Sequence, residues 1–473
     1  MKKTLERELK FDVDPGFELP EFGGGRRQDR TFTSTYYDTS DTRLLDHGIT
    51  LRRRVEQRVG LWQLKLPSTE GRFELEERGG PGRVPAAFVD LLPALLRDGA
   101  KLEASARLRT VRQVSLVSRD ADRIEVVLDA VTVLDGTKVV GRFAELEAEV
   151  VKGRGTALGT VEKLLRKAGA RRTDGTPKLA RVLARPGPAT EPAGHEPIDR
   201  LRTVLVVQYR ELLTNDPGVR LGEDAEAVHQ ARVATRRARA FLRAAGTIVD
   251  PAWAEPLRAE LAWLGRLLGP VRDLDVLIEH VAEEAAALEG GDVRAVGTIR
   301  SRLGRQRAAA RRTLLEAMSE PRYFQLLDSL QAAERAPAGQ ASVSLEQIAA
   351  DAFKRARKAK KALPPDPSDD ELHAVRIEVK RARYAAELAE PVLGKAGARF
   401  LRRAKVVQDV IGEHQDACVA EERIRELAVS GGASAALAAG RLIERQQVRK
   451  QAARSALPDA WRALAKAGRT AFA

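Results

Sequence analysis

The 473-residue chain has a single cysteine, Cys418, two methionines, and aromatic side chains at only 4% of positions. One thiol excludes an intrachain disulfide and a cysteine-based zinc site, and it fits a reducing compartment. So few aromatics leave little for stacking nucleobases, and no helix-turn-helix signature stands out, which disfavours nucleic acid as a partner. No stretch approaches the roughly 18 uninterrupted apolar residues that a membrane span requires. The lysines of Met1-Lys-Lys-Thr-Leu-Glu-Arg-Glu8 have no apolar run behind them, so no signal peptide and a cytoplasmic location are expected. Charge is what the chain has in quantity. Lys and Arg number 81 against 67 Asp and Glu, a net +14, beside an ordinary hydrophobic fraction of 43%. The chain can bury cores, and its partners are expected among polyanions.

Length predicts more than one domain, and composition changes in the middle. The first 180 or so residues read as short β runs broken by Gly, Pro and Asp. A hairpin is expected over Val131 to Val140, turning on Asp135-Gly136, with helices at Ala86 to Leu96 and Gly159 to Lys167. Residues 185–196 have linker composition. From Ile198 onwards long Ala/Leu/Arg/Glu-rich stretches carry helical period. They break at Asn215 to Gly218, Gly290-Gly291, Ala336 to Gly339, Pro364 to Pro367 and Gly431-Gly432. Two domains follow, at 1–184 and 197–473, the second with about eight helices.

The second domain repeats itself. On a helix, His229, Arg232, Arg236, Arg239 and Arg243 fall on one stripe, cationic where a core stripe would be apolar. His373, Arg376, Lys380 and Arg383 return in the same phase. Leu268-Gly-Pro-Val-Arg-Asp273 is likewise matched by Ile411-Gly-Glu-His-Gln-Asp416. The reading is an internal duplication of two four-helix units, at about 197–335 and 340–473. Arginine and imidazole aimed together at one groove suit the oxygens of a flexible phosphate chain. Neighbouring cations disfavour a metal held by the two histidines. Asp273 and Asp416 are expected to hold the stripes in place through ion pairs.

In the first domain the period is two. Glu6, Glu8 and Lys10 share a strand face, as do Arg52 and Arg54, Gln63 and Lys65, Arg72, Glu74 and Glu76, and Glu145, Glu147 and Glu149. The opposite faces carry Leu9 and Phe11, Leu64 and Leu66, Phe73 and Leu75. The plain reading is an antiparallel sheet whose wet side bears cross-strand ion pairs. Acids in tight sets also suit a hard divalent cation, and cations in tight sets suit phosphate. Closed into a barrel, such a sheet would line a polar tunnel.

The series Glu6-Arg-Glu8-Leu-Lys10, Tyr36 to Thr39, Leu51 to Arg54, Trp62 to Lys65 and Arg72 to Glu76, continued by Arg109, Arg112, Asp129, Glu145, Glu147 and Lys178, resembles the CYTH family of triphosphate tunnel metalloenzymes. The resemblance implies an eight-stranded antiparallel barrel that hydrolyses a triphosphate with Mg²⁺ or Mn²⁺. Lys10, Arg52, Arg54, Lys65, Arg109, Arg112 and Lys178 would grip phosphate, while Glu6, Glu8, Asp129, Glu145 and Glu147 would bind metal or orient water. Glu74 and Glu76 would serve either role. The duplicated helices resemble the CHAD family, an all-α pair of four-helix bundles that binds inorganic polyphosphate. That resemblance nominates His229, Arg232, Arg236, Arg237, Arg239, His373, Arg376, Lys380, Arg381 and Arg383. The expectation is a multidomain α+β protein, a metal-dependent triphosphatase acting on inorganic triphosphate or short polyphosphate and targeted to long-chain polyphosphate or its granules. Two rivals stand beside it: a non-catalytic polyphosphate-binding protein, and an adenylate cyclase or thiamine triphosphatase using the same tunnel.

Overall fold

The computed structural model describes residues 1–14, 16–22, 28–69, 71–119, 121–173, 177–183, 196–285, 291–339, 343–429 and 432–472. The expected linker lies, all but Glu196, outside them. By contacts the chain divides into two compact units, residues 1–190 with 213–227, and 191–212 with 228–473. The first is built on an antiparallel sheet and the second is helical.

The sheet runs β1 (Lys2–Glu6), β2 (Glu8–Asp12), β3 (Arg30–Asp38), β4 (Thr50–Glu56), β5 (Val59–Ser68), β6 (Gly71–Arg78), β7 (Glu103–Arg119), β8 (Asp122–Asp135), β9 (Lys138–Lys152) and β10 (Arg171–Arg172). Its spatial order is β1-β6-β5-β4-β3-β7-β8-β9-β2-β10. The eight-stranded closed barrel expected from the sequence is therefore corrected to ten strands, with no ladder joining the ends of that order among the described residues. The reason sits at Arg7, where one extended stretch is shared between two partners. Residues 2–6 pair with β6 and residues 8–12 pair with β9. One residue thus connects strands near opposite ends of the order.

Alternation decides which side each residue takes. Leu51, Trp62, Leu64, Leu66 and Leu75 are buried on one face, while their neighbours Arg52, Gln63, Lys65, Glu74 and Glu76 share the other. Among the described residues of 1–183, four short helices accompany the sheet: α1 (Arg43–Asp46), α2 (Ala86–Val89), α3 (Leu158–Lys167) and α4 (Lys178–Val182). Val161 and Leu165 of α3 pack on the apolar face against Phe11, Ile124, Val126, Leu146 and Ala148. The core of this unit thus lies against the apolar side of the sheet, leaving the charged side to line a space. The hairpin turns at Gly136-Thr137, with Gly136 at φ 58° and Asp135 paired to Lys138. The helix expected over Ala86 to Leu96 is only the four-residue α2.

Nine α-helices follow among the described residues: α5 (Pro197–Leu221), α6 (Ala225–Ala245), α7 (Pro251–Ala285), α8 (Gly291–Ala317), α9 (Pro321–Gln331), α10 (Leu345–Lys361), α11 (Asp369–Leu388), α12 (Glu390–Val429) and α13 (Gly432–Ala471). The break expected at Asn215 to Gly218 does not occur, because α5 continues through Pro217. Gly218 serves packing instead. A Cβ there would lie 2.7 Å from that of Ala227, so glycine lets α5 and α6 approach. On α6 the buried positions Val228, Ala231, Ala234, Ala238, Phe241 and Ala245 recur every three or four residues, which leaves the arginines to the adjacent face. The start of α11 is fixed by a capping box between Ser368 and Glu371. Leu274, Leu277 and Val281 of α7 share a core with Val296, Ile299 and Leu303 of α8 and with Ile424 and Leu442 of α12 and α13.

Candidate active site

Strand register assembles the charged face of the sheet into one array. Lys10 lies opposite Glu147 and Glu8 opposite Glu149. Arg112 faces Asp129, Lys65 faces Glu74, and Arg52 faces Gln63 on one side and Tyr36 on the other. All of these but Asp129 line one cavity of about 940 Å³. At one end the cavity is stopped by α4, whose Leu179 is buried with Tyr36, Leu108 and Val131, backed by Val182 and Phe143.

Next to that stopper, three acids and three cations neutralise one another. Lys178 Nζ lies 2.8 Å from Asp129, 2.9 Å from Glu145 and 3.2 Å from Glu147. Arg112 holds Asp129 through two 2.7 Å hydrogen bonds, and Lys10 lies 3.1 Å from Glu147. Burial works against the charge on Lys178, but Asp129 and Glu147 outweigh it, so the ammonium persists. Asp129 is fully buried and Glu145 nearly so, and neither lines the cavity. Both are committed to holding Lys178, with Arg112 on Asp129, rather than offering oxygens to an incoming ion. Glu147 does line the cavity while touching three cations.

Across the cavity the balance tips to positive charge. Arg52 donates to Gln63 at 2.8 Å and to the Tyr36 hydroxyl at 3.2 Å, and among the described residues it makes no ion pair with a carboxylate. Arg54 stacks over Phe32 at 4.3 Å, and its buried Nε has no hydrogen-bond partner among the described residues. Burial, then the charges of Arg52 and Arg112, push Arg54 down to about 9. Such convergence of guanidiniums is costly without an anion between them.

A third region is acidic. Lys65 bonds Glu6 at 2.5 Å and lies 3.5 Å from Glu74, whose buried Oε1 accepts no hydrogen bond. Burial and the adjacent Glu74 raise Glu6 to about 8 despite Lys65, so the two carboxyls share a proton. Burial, with Glu8 and Glu74 nearby, raises Glu149 to about 7. Glu8 lies 3.5 Å from Lys10, and Glu76 accepts from Gln63 at 2.8 Å. An oxygen-only donor set in which burial holds Glu6 and Glu149 above the ordinary carboxylate range fits a hard divalent cation, and Glu6, Glu8, Glu74 and Glu149 would hold one here.

Arg109 stands apart. It is exposed and does not line the cavity, because it and Arg112 are three positions apart on one regular strand and so point to opposite faces. Arg72, Tyr36, Glu149 and Gln63 line the cavity but were not nominated as site residues. Alternation already puts Arg72, Glu149 and Gln63 on the charged faces, and that signal alone suffices to assign them to the site.

In the helical unit a second cavity, about 710 Å³, is lined by Arg236, Arg239, Arg243, His373, Lys380 and Arg381 among others. Arg236 and Arg376 have buried Nε atoms without hydrogen-bond partners. Arg232 lies 3.4 Å from Asp273. Gly412 makes room for Arg376, whose guanidinium would sit 3.3 Å from a Cβ there. Not every nominated cation is available: Arg237 and Arg383 are both tied to Glu387, at 2.9 and 2.7 Å, and Arg381 to Glu378. His373 faces Gln415 at 3.2 Å, and His229 has contacts of its own. Arg258 and Arg355 also line this cavity from α7 and α10, where no repeat signal marks them.

Comparison with known proteins assigns the architecture. A model of the CYTH domain matches residues 4–181 and one of the CHAD domain residues 203–425. The chain belongs to the family of proteins in which a CYTH domain is followed by a CHAD domain. The uncharacterized protein Rv2226 of Mycobacterium tuberculosis (strain ATCC 25618 / H37Rv) is 32% identical over 519 residues, covering 99% of this chain and 98% of that one. A putative adenylate cyclase from Bacillus halodurans is similar over 38% of this chain and 98% of its own, at 21% identity and TM-score 0.31. The CHAD domain from the plant Ricinus communis matches over 57% of this chain and 94% of its own, at 26% identity and TM-score 0.46. Among the described residues, no helix is long and apolar enough to cross a membrane.

Proposed function

We propose that the charged cavity is the tunnel of a divalent-metal-dependent triphosphatase and that the helical unit binds inorganic polyphosphate. The carrying observation is the split of the cavity wall into a guanidinium side without carboxylate partners at Arg52 and Arg54 and a proton-retaining carboxyl side at Glu6 and Glu149. A triphosphate needs both, cations for its oxygens and acids for the metal that accompanies it. When bound, Mg²⁺ or Mn²⁺ polarises the phosphoryl group and acidifies water. Arg52, Arg54 and Arg112 orient the chain and offset charge that builds on the phosphoryl oxygens. Lys10 and Lys178, held by Glu147, place two further cations beside them. Glu147, with three cations lowering its affinity for protons against burial, stays ionised and fixes their positions.

Glu6→Ala and Glu147→Ala are expected to abolish metal-dependent phosphate release from inorganic triphosphate; unchanged release would remove both residues from the site. Protonation gives an independent check. Because Glu6 and Glu149 are raised, they hold protons at pH 6 and lose them as pH rises through 7 to 8. The stability that these protonated carboxyls give the metal-free protein is full below about pH 4.5, falls as pH rises from there, and is gone once both have ionised near pH 8, where a bound cation takes the place of the protons. Mn²⁺ affinity should therefore climb between pH 6 and 8, by about tenfold per unit for each proton displaced. Calorimetry on the full chain should show the climb flattened in Glu6→Gln.

In the helical unit, Arg236, Arg239, Arg243, Arg376 and Lys380 make no ion pair among the described residues. That surplus supports a polymeric phosphate as ligand, and linkage to the tunnel would raise its local concentration there. We place the protein in the cytoplasm at polyphosphate stores.

A further inference from the structure

The twin stripes differ at two positions that matter chemically: Glu387 on α11 stands where α6 carries Arg243, and the other difference is an amine in place of a guanidinium. Where α6 carries Arg236, the matching site on α11 carries Lys380. Lys380 is half-buried, lines the second cavity, and makes no hydrogen bond or ion pair among the described residues. Facing it are Arg376 one turn earlier on α11 and Arg236 and Arg232 on α6, with Asp416 of α12 as the acid. Along the same cavity, Arg239 and Arg243 belong to α6, Arg355 to α10, and Arg258 to α7, the last paired with Glu255. His373 and Arg381 of α11 are engaged by Gln415 and Glu378. The group is thus one amine among guanidiniums. Guanidiniums do not give up their protons near neutral pH, but an amine can. Burial and the three nearest arginines push Lys380 down to about 7.

We propose that Lys380 is a proton-binding site that couples polyanion binding in this groove to proton uptake. This rests on the reading of the groove as a polyphosphate site. In the free protein the amine is largely neutral above pH 7. Phosphate oxygens arriving between Arg236, Arg376 and Lys380 favour the ammonium, so one proton passes from a buffer acid to Nζ, an N–H bond forming as the acid's own bond to that proton breaks. The direction follows from linkage. Below pH 7 the free protein already carries the proton and affinity is flat. Above pH 7, binding must recruit it, and affinity falls by up to tenfold per unit until the pKa of the bound state is reached. An arginine at 380 would bind without this dependence.

The test is titration of the full-length protein with long-chain polyphosphate at pH 8, in two buffers of different ionisation enthalpy, for the parent and Lys380→Arg. The parent should take up about one proton more per groove than the variant, and the variant should bind about tenfold tighter at this pH. Equal proton uptake in the two proteins would overturn the proposal. A second measurement needs no ligand: the rate at which an amine-reactive ester labels Lys380, followed by mass spectrometry across pH. Its midpoint should lie near 7, well below the ordinary lysine value of about 10.4. A midpoint in the ordinary lysine range overturns the proposal even if polyphosphate binds. A low midpoint with no polyphosphate binding by either protein sinks the polyphosphate reading, and the coupling with it.

Discussion

Arg54→Met should lower kcat/KM for inorganic triphosphate by about two to three orders of magnitude while making the ligand-free protein more stable, by about 1–3 kcal/mol. Both effects have one cause. Arg54 is held beside Arg52 and Arg112 with its Nε unpartnered, so the resting protein bears a repulsion that only a bound anion relieves. A methionine of similar length removes the charge and keeps much of the packing on Phe32. The sign can be checked against pH. A guanidinium held down at about 9 carries its full cost at every pH below that, so the stability gain should be constant near neutrality and shrink above pH 9. Phosphate release and thermal melting of metal-free protein, measured together, decide the matter. Loss of activity accompanied by a lower melting temperature would mean that Arg54 braces the sheet.

Removing the groove cations should have the largest effect on binding. With Arg232, Arg236, Arg376 and Lys380 all changed to Ala, affinity for long-chain polyphosphate should fall by at least about a thousandfold. The slope of log affinity against log salt should drop by about three, the release expected for four contacts on a single-stranded polyanion. Among the described residues Arg236, Arg376 and Lys380 make no ion pair, so little folding stability is lost with them; Arg232 gives up its contact with Asp273. Equal binding of duplex DNA and polyphosphate by the parent at physiological salt would show that the groove reads charge alone.

Much of the candidate site was legible because strand alternation is a strict period. Glu6, Glu8 and Lys10, or Arg52 and Arg54, cannot share a strand without sharing a face, and the cavity wall follows. The same rule, applied without exception, separates Arg109 from Arg112. Partner choice was not legible. Alternation placed Glu145 on the charged side and the family resemblance nominated Asp129, but only the third dimension shows Lys178 arriving from α4 to occupy them. Nor does a periodic pattern reveal that residues 2–12 are divided at Arg7 between two ladders. Among the helices, the repeated stripes exposed α6 and α11. Arg258 and Arg355 reach the same cavity from helices whose own sequences look like ordinary solvated surfaces. Pro217 misled for a local reason: a proline costs a helix one donor, and packing across Gly218 outweighs that cost here.

The apolar stopper formed by α4 has a consequence for traffic. With Leu179 and Val182 seated among Tyr36, Leu108 and Val131, a linear chain cannot be drawn through that end and out. On the proposed reading of the cavity as a triphosphatase tunnel, a cleaved remnant would back out along the route it came in by, and a chain end rather than the middle of a strand would meet Lys178. Work on a long polymer would then be a succession of separate visits, each as long as the remnant takes to withdraw.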